Sequence, residues 1–149
     1  MPFRLPYPVF ASNDPGGSRG QTGKPPRLLI VEDDLLIATQ MEFALTEAGF
    51  DVVAVLTTGE EALQMAGTDR PDFAIMDIRL AGDRSGVDTA IELFQSHGIR
   101  CIFASAYSDD EARRRAETAS PLGWLQKPYT MQALTGMVLS ASKLIRDGN

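Results

Sequence analysis

From Arg27 onward, short apolar runs alternate with stretches whose apolar positions recur at helical spacing. Leu28-Leu29-Ile30-Val31 stops abruptly at Glu32-Asp33-Asp34. A run with no polar alternation predicts a strand covered on both faces, as in a parallel sheet. Ile37, Met41, Ala44, Leu45 and Ala48 then follow one helical face, and Gly49 closes that helix. Asp34 reads as its N-cap rather than as a ligand. Asp51 to Thr57 is the second strand, and Thr58 with Glu61 has the spacing of a capping box that opens a short helix to Ala66. Phe73 to Met76 predicts the third strand, ending at Asp77, and Ser85 is the N-cap of a helix through His97. Cys101 to Ala104 is the fourth strand. Ser108 with Glu111 repeats the capping-box spacing and starts a helix to Ala119. Trp124-Leu125-Gln126 is the fifth strand, and the last helix, Thr130 to Ile145, places Leu134, Met137, Val138, Ala141 and Ile145 on one face.

Five strands alternating with five helices predict an α/β fold: a doubly wound five-stranded parallel sheet with helices on both faces. The spacing is too tight for eight such units in a barrel, and no internal repeat suggests a solenoid. A chain of 149 residues suits one domain. Residues 1–26 stand apart, holding six of the nine prolines, which breaks any regular hydrogen-bond ladder. They predict a flexible Pro/Gly-rich arm ahead of a domain at 27–149.

The formal net charge of -6 argues against a direct grip on nucleic acid or an anionic membrane, since both need clustered cations. The single Cys101 forms no internal disulfide, and with His97 as the only histidine no Cys/His zinc cage can be built. Cys101 reads as core, and His97 as favoured by a helix C-terminus. No apolar run approaches a membrane span of ~20 residues. Together these features predict an acidic, cytoplasmic chain.

In open parallel sheets, ligands bind beyond the carboxyl ends of the strands. The first strand ends in Glu32, Asp33 and Asp34, the third at Asp77, the fourth at Ser105, and the fifth runs into Lys127-Pro128. One rim thus collects carboxylates, a hydroxyl and a lysine. Clustered carboxylates repel one another unless a cation sits among them, and hard oxygen donors describe a Mg²⁺ site. A cation beside Asp77 lets that carboxylate receive a phosphoryl group, with Lys127 as a point charge on one phosphoryl oxygen and Ser105 donating to another.

Leu-Leu-Ile-Val-Glu-Asp-Asp at 28–34, Phe-Ala-Ile-Met-Asp-Ile-Arg-Leu at 73–80, Ile-Phe-Ala-Ser-Ala at 102–106 and Gly-Trp-Leu-Gln-Lys-Pro-Tyr at 123–129 resemble response-regulator receiver domains. The resemblance covers about residues 27–146, with four pieces in order at four strand ends. It implies that Asp77 is the phosphoacceptor and that Glu32 and Asp33 form the acidic pair for Mg²⁺. Asp33 is then a direct ligand, Glu32 acts largely through water, and the backbone carbonyl of Arg79 completes the set. It also implies that Ser105 is the switch hydroxyl, Lys127 the phosphate-binding lysine, Trp124 the aromatic switch residue, and Lys127-Pro128 a cis peptide. Arg79 and Tyr107 fall where the family tunes phosphoryl lifetime. The loop after Asp77 departs from the family pattern: it lacks a proline at Ala81 and is one residue longer.

The predicted helix before Ala119 buries only Ala112, Ala116 and Ala119, while Arg113, Arg114 and Arg115 project cations, as suits a loosely held switch helix. The expected function is that of a single-domain response regulator, a signalling domain rather than an enzyme. A histidine kinase or histidine phosphotransfer protein is the donor, and an unknown downstream protein or a homodimer the output. A receiver that signals without phosphorylation is the alternative. A haloacid-dehalogenase-like phosphatase needs a second Asp two residues after the nucleophile, where Arg79 stands, and Arg79 cannot donate a proton at neutral pH. A flavodoxin-like cofactor site needs a phosphate loop where this chain has three carboxylates.

Overall fold

The computed structural model describes residues 24–80, 82–106 and 109–147. Residues 1–23 of the expected arm, and Ala81, Tyr107 and Ser108, lie outside the described residues. The apolar runs form strands β1 (Arg27–Val31), β2 (Asp51–Leu56), β3 (Phe73–Asp77), β4 (Arg100–Ser105) and β5 (Gly123–Gln126). The periodic stretches form helices α1 (Leu35–Glu47), α2 (Gly59–Thr68), α3 (Gly86–His97), α4 (Asp110–Ala116) and α5 (Met131–Asp147). All four strand pairings are parallel, in the order β2-β1-β3-β4-β5. The chain winds outward from β1 to β2 and then crosses back to β3, so the switch point lies between β1 and β3.

The unbroken apolar runs are explained by two cores. Leu29, Val31, Ala74, Met76 and Phe103 pack under α2, α3 and α4, whose Ala62, Val87, Leu93 and Ala116 are buried there. The alternate residues Leu28, Ile30, Phe73, Ile75 and Ile102 pack under α1 and α5 with Met41, Leu45, Leu134 and Val138. A strand with both faces covered has no solvent side to make polar.

Local capping follows the sequence closely. The Asp34 carboxylate accepts from the amides of Leu36 and Ile37, Thr58 and Glu61 form the reciprocal capping box, Ser85 accepts from Asp88 N at 3.1 Å, and Thr130 Oγ1 accepts from Ala133 N at 2.9 Å. The fourth helix departs from expectation. It is α-helical only through Ala116 and tightens into a 3₁₀ turn over Glu117–Ala119. Asp109 occupies its N-cap position without capping it. Its carboxylate turns back to the amide of Ala106 and to Arg79 instead.

Candidate functional site

Three of the buried residues of the described chain are charged, Glu32, Asp77 and Asp109, and all three lie at the carboxyl-end rim of β1, β3 and β4. Burying charge costs several kcal/mol unless partners offset it, so its concentration at one place marks a candidate site. Carboxylate oxygens of Glu32, Asp33 and Asp77 all lie within 4.8 Å of one another. Convergence follows from the topology: β1 and β3 are neighbours with Val31 opposite Met76, so the residues just beyond meet.

The carboxylates differ in their partners. Asp77 Oδ1 accepts from Lys127 Nζ at 3.0 Å and from the Arg79 amide at 3.1 Å. Glu32 Oε2 accepts from the Asp34 amide at 3.0 Å. Burial pushes the Glu32 carboxyl up to about 7, with the negative charge of Asp77 adding to it while the Asp34 amide and Lys127 pull it back. Asp33 reaches solvent beside them. The donor set is hard oxygen without histidine or thiolate, which fits Mg²⁺ and not zinc.

Glu32 therefore makes metal-free stability depend on pH. Unfolded, it releases its proton near 4.5; folded, it holds it until about 7. Between those values the native state binds more protons, so stability falls as pH rises through the window. A Glu32→Gln protein, melted in a chelator, should show a flatter fall than wild type between about pH 5 and about pH 8. An unchanged slope would overturn this reading.

The other expected residues fall around this cluster. Ser105 closes β4 one residue beyond Ala104, which pairs with Asp77, and its carbonyl accepts from the Lys127 amide at 2.8 Å. The Lys127-Pro128 peptide is cis. Trp124 lies back from the carboxylates on β5, opposite Phe103. An open cleft of about 430 Å³ adjoins Lys127, lined by Ile37, Gln40, Pro128, Tyr129 and Met131. Cys101 is fully buried and its thiol is pushed up to about 12 by that burial, so it is inert.

Two residues gain contacts that the sequence reading did not assign. Arg79 donates from Nε and Nη2 to Asp109 Oδ1 at 3.0 and 2.6 Å, clasping the loop after β3 to the loop after β4. Burial works against the Asp109 charge, but Arg79 and the Ala106 amide hold its carboxyl below the ordinary range. Arg113 turns inward to Ser105 and Trp124. Arg114 and Arg115 pair with Glu111 and Asp88. The expectation of three projecting cations is corrected at Arg113, whose guanidinium the Trp124 ring takes up.

The family described as response regulator receiver domain matches residues 28–139. The chain belongs to this receiver-domain family. Receiver domains are the signalling modules of two-component systems and bind Mg²⁺ at an acidic pocket. The transcriptional regulatory protein PdtaR of Mycobacterium tuberculosis is 30% identical over 123 residues, covering 83% of this chain and 60% of PdtaR. The phyllosphere-induced regulator PhyR of Methylorubrum extorquens is 30% identical over 115 residues, 76% of this chain and 42% of PhyR. This chain thus spans less than two thirds of the length of each of these relatives. Among solved structures, the signal receiver domain of a modulated diguanylate cyclase from Desulfovibrio desulfuricans superposes with a TM-score of 0.77 at 35% identity, over 84% of this chain and 99% of that one. No helix among the described residues is long and apolar enough to cross a membrane.

Proposed function

We propose that this receiver is a phosphorylation switch in which Asp77 takes a phosphoryl group from a phosphohistidine of a kinase or phosphotransfer protein. The observation that carries the reading is the Lys127 ammonium 3.0 Å from Asp77 Oδ1, inside a cluster of three carboxylates. An Asp77 oxygen attacks phosphorus as the donor's P–N bond breaks, and the imidazole leaves with that electron pair. Asp77 becomes an acyl phosphate. Lys127, freed from a carboxylate oxygen that now carries phosphorus, neutralises a phosphoryl oxygen. The buried Ser105 hydroxyl donates to another, and Trp124 follows Ser105.

Asp33, Asp77 and the Arg79 carbonyl are the residues that would hold Mg²⁺, with Glu32 acting largely through water. When bound there, the ion would offset the charge that builds up on the transferring group. Leu35 and Leu36, 65% and 70% exposed, follow the acidic loop directly and offer an apolar landing beside the site for a donor protein.

Incubation with acetyl phosphate and Mg²⁺ should add one phosphoryl group in the intact mass, and a chelator should prevent it. A protein that binds Mg²⁺ yet gains no mass from acetyl phosphate or from a phosphohistidine donor would overturn the reading.

A further inference from the structure

Trp124, the chain's single tryptophan, carries two neighbours on its ring. Phe103 of β4 stacks on it with centroids 4.7 Å apart and planes inclined by 21°. The Arg113 guanidinium of α4 covers it at 4.2 Å from the centroid. The same guanidinium donates from Nη1 to Ser105 Oγ at 3.5 Å, a long and weak hydrogen bond. Ser105 is buried, and among the described residues Arg113 is the side chain that bonds its hydroxyl. One cation from α4 therefore holds both residues assigned above to the switch.

The helix supplying it is short and lightly anchored. Of its seven residues only Ala116 is buried, with Ala112 partly so. Its flanking arginines are committed elsewhere, Arg114 to Glu111 and Arg115 to Asp88 on α3, which leaves Arg113 as the arginine of the three that reaches inward to the sheet.

We propose that Arg113 is the positioning residue of this switch, holding Ser105 and Trp124 in the resting arrangement and thereby setting how readily the site accepts a phosphoryl group. The inference rests on the phosphoacceptor reading of Asp77. Displacement of Ser105 Oγ toward a phosphoryl oxygen on Asp77 lengthens a contact already at 3.5 Å, so the proposal assigns this contact to the resting state. Removing a contact made in one state shifts the equilibrium toward the other. Because such coupling is reciprocal, the position of α4 reports occupancy of the site.

The test compares wild type, Arg113→Ala and Arg113→Lys, each shown folded by its thermal melt, in titrations with beryllofluoride and Mg²⁺ followed by Trp124 emission. Cation–π and hydrogen-bond contacts of this kind predict that Arg113→Ala binds beryllofluoride about three- to tenfold tighter than wild type. Its emission without Mg²⁺ or beryllofluoride should already have moved toward the wild-type bound spectrum. Arg113→Lys keeps a cation over the ring without the planar fork and should fall between the two. Affinities within about twofold of one another, with a normal wild-type response, would overturn the proposal and leave the phosphoacceptor reading standing. Weaker binding by Arg113→Ala would overturn it also, since Arg113 would then act on the phosphoryl side. A wild type that gains mass from acetyl phosphate but shows no emission change would remove Trp124, and the proposal, from the switch. Absence of both responses would overturn the two readings together.

Discussion

Asp77→Asn protein given acetyl phosphate and Mg²⁺ should gain no phosphoryl mass, a loss to below detection rather than a slowing. A carboxamide has no anionic oxygen to attack phosphorus, and the substitution removes one of the three carboxylates gathered within 4.8 Å. The neighbours do not replace it. Glu32 is buried and gives an oxygen to the Asp34 amide. Lys127 Nζ is bonded to Asp77, so the cation proposed to neutralise the transferred group is aimed at that one oxygen. Since the charge of Asp77 helps to hold Glu32 protonated, the same variant should bring the Glu32 carboxyl down toward 4.5. Mg²⁺-dependent mass gain by the variant, mapped to Glu32 or Asp33, would place the nucleophile elsewhere.

How much of this was legible depends on the range over which each feature is encoded. Strand β1 was readable because Leu28 and Ile30 enter one core while Leu29 and Val31 enter the other, which forces an unbroken apolar run. The caps at Asp34, Thr58 and Ser85 were readable because each partner lies within three residues. The convergence of Glu32, Asp33 and Asp77 needed only the parallel topology, which sets the ends of β1 and β3 side by side. Contacts across distant loops left no such trace. Asp109 directly follows Ser108, the expected start of a helix, yet its carboxylate bonds Arg79, thirty positions earlier. Arg113 sits in a run of three arginines whose pattern is that of a solvated face. Only the placement of Trp124 on β5 separates it from Arg114 and Arg115.

Gly86→Ala should cost about 3 kcal/mol or more and lower the Tm by roughly 10 °C, which a melt in chelator measures. A methyl at Gly86 would stand 1.9 Å from the Asp77 carbonyl oxygen and 2.9 Å from the Ile78 Cα. Both are backbone atoms, so no side-chain rotation relieves the contact. The Gly86 amide donates to the Ile78 carbonyl at 3.0 Å, which seats the first turn of α3 directly on the strand end carrying Asp77. The requirement is close approach rather than an unusual backbone angle. Any shift that admits the methyl therefore moves α3 or the backbone between Asp77 and Arg79, including the amide that bonds Asp77 Oδ1. Phosphorylation by acetyl phosphate should slow in the fraction that stays folded. Gly67→Ala is the control: its methyl meets nothing within 4 Å in α2, and the lower backbone entropy of the unfolded chain should raise stability by a few tenths of a kcal/mol. Equal melts for Gly86→Ala and wild type would mean that α3 is not held against Asp77 as described, and that the geometry at Asp77 does not depend on a glycine at this position.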